Sequence, residues 1–380
     1  MKIKNKGIKY RLYPTKEQEQ QLIQEVGNQR FLWNSFLAKQ KSLYKRKGEF
    51  KFFFDMQHYL VYTFKDKYDF LKIGSAQSLL ETLRDLEKAL RNCYKLGFGF
   101  PKFKKKGKKD SFRVPQYFIV GKCSIKLPKI GVIKINKSRS LNGKPKNLTI
   151  SKDKNGKWYV SVCVEFDPKS LPKTGKSLGI DLGTVRLATS NKNHVKKSFN
   201  NLKYVRDLNR RIKTKQRELA RKDKGSSNWL KAKATLQKLH LKLKNKRRDR
   251  LHKFSTMLVT NFDTIVVEAL KTKNMTKSAK GTLKKPGKNV KQKSGLNRSI
   301  LKEGWSIFLN MLEYKCDWYD KEFIRVNPKF TSQICSECGF KSKKNRKSQS
   351  KFECNKCGFK INADHNAAKN ILARGLALAS

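Results

Sequence analysis

Asp181, Glu268 and Asp364 are the residues of this 380-residue chain best suited to metal-assisted chemistry. Asp181 closes an apolar run, Ser177-Leu178-Gly179-Ile180, and Leu182-Gly183-Thr184 follows at once. Glu268 closes a second run, Ile265-Val266-Val267. Asp364 opens a helical pattern that continues through His365-Asn366-Ala367-Ala368-Lys369-Asn370-Ile371-Leu372. Two buried strands and one helix start are expected to deliver the three carboxylates to the same end of a sheet. Oxygen ligands of this kind hold two hard divalent cations, about 3.5–4 Å apart, around a phosphodiester. Each acid alone reads as an ordinary strand-end or cap residue; the three in this order point to a site. With a formal net charge of +61, the phosphodiester expected is nucleic acid.

A second ligand set is stricter in spacing. Cys335-Ser336-Glu337-Cys338 and Cys354-Asn355-Lys356-Cys357 are separated by 15 residues, which fits a C-x2-C-x15–20-C-x2-C zinc pattern. Each pair is followed by Gly-Phe (Gly339-Phe340 and Gly358-Phe359), so two knuckles are expected. Four thiolates leave no open coordination position, so this zinc is structural. Cys93, Cys123, Cys163 and Cys316 are scattered and read as inert core thiols.

The elements that must position these groups follow from periodicity. Ile8, Tyr10 and Leu12 alternate as a strand. Thr15 and Gln18 form a capping box ahead of a helical stripe, Leu22, Val26, Leu32, Phe36 and Leu43. A second helix starts near Ser75 and carries Leu79, Leu83, Leu86 and Leu90. Strand signals resume after residue 119, and Leu148-Thr149-Ile150 pairs with Trp158–Phe166 across the turn Asp153-Lys154-Asn155-Gly156. Residues 1–14 and 119–167 then make one small barrel interrupted by a helical insert, and Pro168–Gly175 is a linker. Residues 203–250 hold 19 Lys/Arg and 4 acids, with two apolar stripes broken at Asp223–Ser227: a basic helical hairpin between the Asp181 and Glu268 strands. Residues 271–302, rich in Lys, Gly, Ser and Asn, read as a lid-like loop, mobile from Thr276 to Asn297.

The charge comes from 90 Lys+Arg against 29 acids, with a pI near 10.2. Such an imbalance strains a compact chain unless a polyanion offsets it; a ribosomal-type chain that merely tolerates its charge is the plainer alternative. Candidate nucleic-acid contacts are Lys102, Lys104, Lys105 and Arg113, in and just after a stretch that interleaves cations with Phe98, Phe100 and Phe103, and Arg210, Arg211, Lys242, Arg247 and Arg248 in the hairpin. No apolar run approaches the ~18 residues of a membrane span. The start, Met1-Lys2-Ile3-Lys4-Asn5-Lys6, precedes no apolar signal region. A cytoplasmic location, nucleoid-associated and without membrane partners, is expected.

In order and motif, the chain resembles TnpB, a family of transposon-associated RNA-guided DNA endonucleases related to compact type V CRISPR effectors. Gly179-Ile180-Asp181-Leu182-Gly183, then Val266-Val267-Glu268, then the four cysteines, then Asp364-x-Asn366-Ala367-Ala368-x-Asn370-Ile371 follow a split RuvC nuclease with an inserted zinc ribbon. Tyr10-Arg11-Leu12-Tyr13-Pro14-Thr15, Phe100-Pro101-Lys102-Phe103-Lys104 and the stretch from Trp305 to Lys315 are similar to further segments of that family, so the resemblance spans the chain. It departs at Asn362, where the family commonly has the first Asp of an Asp-Arg-Asp run; the second, Asp364, is kept.

The resemblance implies a multidomain α+β fold. Its parts are a wedge-type β-barrel (1–14 and 96–170), a helical recognition lobe (15–95), an RNase H-like RuvC domain (176–328 and 361–380) and a zinc ribbon (329–360). It implies a guide RNA and a target double-stranded DNA as partners, a short flanking DNA motif read by the protein, and cleavage of both strands at one site. There Asp181, Glu268 and Asp364 hold two Mg2+, and Asn366 touches a ligand or phosphate. Gln77, Ser78 and Arg84 are candidates for reading the motif. A compact chain of this length has a radius of gyration of roughly 21 Å, too small to enclose a ~20 bp heteroduplex. Either RNA supplies part of the scaffold or a second copy does, so monomer and homodimer both stay open. A CRISPR-linked effector, a guide-dependent regulator that does not cut, and a transposase joining DNA ends at an RNase H-like site are the competing readings.

Overall fold

The computed structural model describes residues 3–192, the backbone of 195–197, and 202–379; Met1 and Lys2 of the leader reading lie outside them. Two compact units, 1–167 and 168–380, make up the chain.

The first unit begins with β1 (Lys4–Tyr13), whose alternation buries Ile8, Tyr10 and Leu12. Thr15 then accepts from the Gln18 backbone while the Gln18 side chain accepts from Thr15 N, closing the capping box that starts α1 (Lys16–Lys47). Four shorter helices follow: α2 (Phe53–Tyr59), α3 (Lys65–Lys67), α4 (Phe70–Ile73) and α5 (Ala76–Leu96). A π-turn at Leu60–Phe64 links α2 to α3 and turns Leu60 and Phe64 into the helical core, where Leu32, Phe36, Leu79, Leu83, Leu86 and Leu90 meet. Strands β2 (Ser111–Val114), β3 (Ile119–Val120), β4 (Ser124–Leu127), β5 (Gly131–Asn136), β6 (Lys144–Lys152) and β7 (Trp158–Phe166) complete an antiparallel sheet. Asp153 Oδ1 accepts from the Asn155 and Lys157 amides and fixes the β6–β7 turn.

The strand order is β2-β6-β7-β1-β5-β4-β3. Among the described residues β2 and β3 do not pair, so the small barrel expected is in the structure a curled half-barrel. β3 is only two residues long and, among the described residues, pairs with β4 alone.

The second unit opens with β8 (Ser177–Asp181), β9 (Arg186–Ser190) and β10 (Val195–Lys197). The basic hairpin is α6 (Lys203–Ala220) and α7 (Ser227–Asn261), held by Leu208, Ile212 and Leu239. Ser226 caps α7 through the Trp229 amide, at the break read from the sequence. Then come β11 (Thr264–Glu268), α8 (Thr272–Met275), α9 (Val290–Glu303), α10 (Trp305–Tyr319), β12 (Glu322–Val326), β13 (Lys351–Glu353), β14 (Lys360–Asn362) and α11 (Ala363–Ala379). The expected loop over 271–302 is thereby corrected. Nearly half of it is α9, tethered by Lys293 Nζ to Met275 O and by Asn297 Nδ2 to the Thr276 and Lys277 carbonyls.

The five-stranded sheet runs β10-β9-β8-β11-β12, with β8, β11 and β12 parallel and β9 antiparallel to β8. Its central strands are apolar on both faces because both are covered. Ile180, Ile265 and Val267 face Phe254 and Leu258 of α7 and Phe308 and Leu312 of α10. Val266 and Val326 face Ile371 of α11. On that second face Gly179 lies so near α11 that any Cβ would collide with Ala368 O and Leu372.

Candidate active site

Three elements end at one edge of this sheet. Asp181 is the last residue of β8, and Glu268 is the last residue of β11, a strand parallel to β8 and hydrogen-bonded to it. Asp364 sits in the first turn of α11, which packs on β8 with no side chain at Gly179 to hold it off. Asn362 precedes that turn, and its Oδ1 accepts from Asp364 N at 3.0 Å. At the position where the resemblance departs, asparagine thus still serves as a helix-capping side chain.

Asp181 feels the charge of both other carboxylates. Burial raises the Asp181 carboxyl to about 7, and the neighbouring Glu268 and Asp364 push it the same way; Arg346 and the Leu182 amide oppose them. Burial also raises Glu268, against the Thr331 hydroxyl, which donates to Oε1 at 2.6 Å, and the field of Arg374. Arg346 Nη2 lies 3.7 Å from Asp364 Oδ1 and also donates to Gln349 O. Three acids are thus held near two arginines, Arg346 and Arg374, a surplus of negative charge that a divalent cation would relieve. These oxygen-only donors fit Mg2+. Their oxygens do not all lie within 4.8 Å of one another.

Among the described residues, the group that does meet that limit is the four cysteines, with Cys335 Sγ 3.7 Å from Cys357 Sγ and Cys338 Sγ 3.6 Å from Cys354 Sγ. A tetrahedron with zinc–sulfur bonds of about 2.3 Å has edges of about 3.8 Å, so the residues fit zinc. The two knuckles repeat one backbone pattern. Gly339 N donates to Cys335 O and Gly358 N to Cys354 O, with both glycines at positive φ (72° and 69°). Asn366 and Asn370 of α11 couple this module to the carboxylate edge. Both donate to Ile334 O, and Asn366 Oδ1 accepts from Ser336 N. Asn366 is fully buried in that clamp, which corrects its expected contact with a ligand.

The structure divides the other candidates. Lys102, Lys105, Arg210, Arg211, Lys242 and Arg248 are exposed. Lys104 instead stacks over the Trp33 ring at 4.2 Å, on a backbone pinned by Asn34. Arg113 is ion-paired with Glu81 and Asp85, and Arg84 shares Glu81. Arg247 is half-buried, in the field of Glu303. Ser78 is fully buried in α5 with no surface to offer a DNA edge, and Gln77 beside it is half-buried. Sequence reasoning missed Thr331, Arg346 and Arg374, since no local pattern marks residues that reach the site from loops and a helix flank.

Comparison with known proteins fits this geometry. The "Probable transposase" model of OrfB from IS605 matches residues 161–279, and a "Cas12f1-like, TNB domain" model matches 305–371. The OrfB "Helix-turn-helix domain" model matches 1–49, where the structure has β1 and the single helix α1. The chain is 39% identical to the "Putative RNA-guided DNA endonuclease InsQ" of Escherichia coli over 98% of its own length and 92% of that protein. It is 30% identical to a "Putative RNA-guided DNA endonuclease" of Streptomyces pristinaespiralis, over 98% and 90%. Its fold matches a Cas12f1 chain from a cryo-EM structure of the Cas12f1-sgRNA-target DNA complex at a TM-score of 0.56 and 14% identity, covering 97% of this chain and 98% of that one. No helix among the described residues is long and apolar enough to cross a membrane. Identity at this level over nearly the whole chain, matched by the OrfB models at its start and centre, means that the chain belongs to the TnpB family of IS605-type elements.

Proposed function

We propose that this protein is a transposon-encoded, RNA-guided DNA endonuclease that binds a guide RNA, reads a short target-adjacent motif and cuts both DNA strands at one RuvC-type site. The observation that carries the proposal is the junction of Asp181, Glu268 and Asp364 at the carboxyl edge of β8 and β11, in a chain with a 39% identical relative named for that activity. The order β10-β9-β8-β11-β12, with one antiparallel arm and three parallel strands, supports an RNase H-like core. The unit from 168 onward is the proposed nuclease domain, with its zinc ribbon at 329–360. The sheet and helices before it are the proposed wedge and recognition lobe.

Asp181, Glu268 and Asp364 would hold two Mg2+, which supply a nucleophile from water and stabilise the leaving oxygen. The chain's own residues set the stage for that chemistry. Thr331 fixes the Glu268 carboxylate in one rotamer, and Asn362 fixes the first turn of α11, hence Asp364. Arg346 brings a guanidinium to the same edge, where it offsets acid repulsion and faces an incoming phosphate. Sequence reading falls to base pairing, for which the protein needs backbone contacts alone; the exposed cations of α6 and α7 suit that role. The test is to purify the protein with its co-expressed RNA, sequence that RNA, and offer the complex a matching duplex with Mg2+. Cleavage of both strands that requires guide complementarity is expected. Guided binding without cleavage would support a regulator instead, and guide-independent strand joining a transposase.

A further inference from the structure

Away from the carboxylates, the 276–302 region forms an open cavity of about 500 Å3 between α7, residues 276–280 and α9. This lies within the roughly 300–1,000 Å3 range of small-molecule pockets. Arg247, Lys280, Arg298 and Lys302 line it, and no carboxylate does. Buried Glu303 is near Arg247 and Arg250, whereas Lys280, Arg298 and Lys302 have no ion-pair partner among the described residues. Leu301, largely exposed at 64%, supplies an apolar wall.

The walls are fixed rather than slack. The Asn297 and Lys293 side chains tie α9 to the carbonyls of Met275, Thr276 and Lys277. Gly281 pairs with Pro286 in a tight bridge, and Gly287 approaches the Ala279 carbonyl so closely that no side chain fits there.

Lys280, Arg298 and Lys302, three lining cations without a counter-carboxylate among the described residues, call for a phosphate. A bare anion leaves the apolar wall unused, while a nucleotide uses both, its base lying on Leu301 and the guanidinium plane of Arg298. We propose that this cavity holds one unstacked nucleotide of a bound single strand, RNA or DNA. The proposal deepens the function above, since it rests on the chain's binding nucleic acid.

The test is photocrosslinking of the full-length protein with a 4-thiouridine RNA octamer and, separately, a 4-thiothymidine DNA octamer, with crosslinks mapped by mass spectrometry. Wild type is expected to crosslink within 276–280 or 290–302 in at least one arm, and the arm that does so names the strand. Ser294→Trp and Ser278→Trp each fill the cavity from an exposed position without changing charge. Whichever is folded by circular dichroism should lower that crosslink about tenfold and leave crosslinks in 203–250 unchanged. Absence of the crosslink in both arms, or its persistence in a folded filling variant, overturns the proposal. So does competition by inorganic phosphate equal to that by uridine monophosphate, which marks a site for a bare anion. Guided cleavage is measured on the same preparations. Lost cleavage with a retained crosslink counts against the endonuclease reading alone.

Discussion

Replacing Gly179 by alanine should damage the carboxylate site without touching a carboxylate. The new Cβ would lie 2.7 Å from Leu372 Cβ and 2.8 Å from Leu372 N, nearer still to Ala368 O, where ordinary contact begins at 3.4 Å. Two of these three atoms are helix backbone and cannot rotate away, so α11 must withdraw from β8 by roughly 1 Å, at an overpacking cost of about 1–3 kcal/mol. Because Asp364 rides on α11 and Asp181 on β8, their separation changes with it, and a misplacement of that size costs about 100-fold in rate. Denaturant unfolding and guided cleavage of a plasmid measure the two effects on one preparation. Gly375→Ala is the companion, since the three atoms nearest its new Cβ all belong to the Val266 side chain on the same face. Adding Val266→Ala should recover part of the stability lost at Gly375 but none of that lost at Gly179. A Gly179→Ala protein with wild-type stability and rate refutes the idea that this close packing sets the site.

Three further outcomes are expected. Asp181 titrates near 7 in the folded chain, far above its ordinary 3.8, so the metal-free folded state binds the extra proton and loses stability as pH rises from about 4 to 7. Asp181→Asn should abolish that slope and make metal-free protein at pH 8 more stable, by at most about 4 kcal/mol; a destabilised variant under those conditions counts against the crowding of charge. Protein as purified should contain one zinc per chain, and Cys335→Ser should lose it and melt residues 329–360 in hydrogen exchange; active protein without zinc contradicts this. RNA affinity should fall with salt at a log–log slope of about −7 or steeper for roughly ten phosphate contacts. Neutralising Arg210, Arg211, Lys242 and Arg248 should flatten that slope, and an unchanged slope removes the hairpin from the RNA surface.

What the sequence made legible was local. Asp181 and Glu268 end apolar runs that had to be covered strands, and the four cysteines carry their own spacing, so both groupings were visible before any fold. The capping box at Thr15 and the Asp153 turn were readable for the same reason. Closure of the first sheet was not, because it depends on whether β2 and β3 meet, and no pattern within either strand encodes that. Helix α9 buries only Ile300 and Glu303, too few contacts to raise a stripe above its lysines and glycine. The aromatic-rich stretch from Phe53 to Ile73 folds as short helices around a π-turn, which breaks the 3.6-residue period. Ser78 and Arg113 read as free polar groups because the burial of Ser78 and the pairing of Arg113 with Glu81 are set by tertiary packing, whereas the Arg84–Glu81 pair is local, three residues apart on α5.

Guided cleavage and guided binding, measured side by side for Asp181→Ala, Glu268→Ala and Asp364→Ala with the co-purified RNA and a matching duplex, go to the heart of the proposed function. Each variant is expected to bind target as tightly as wild type within about threefold, since a threefold change is under 1 kcal/mol, while cleavage of both strands disappears. Cleavage near the wild-type rate by any one of the three would contradict the assignment of a single site built from these carboxylates.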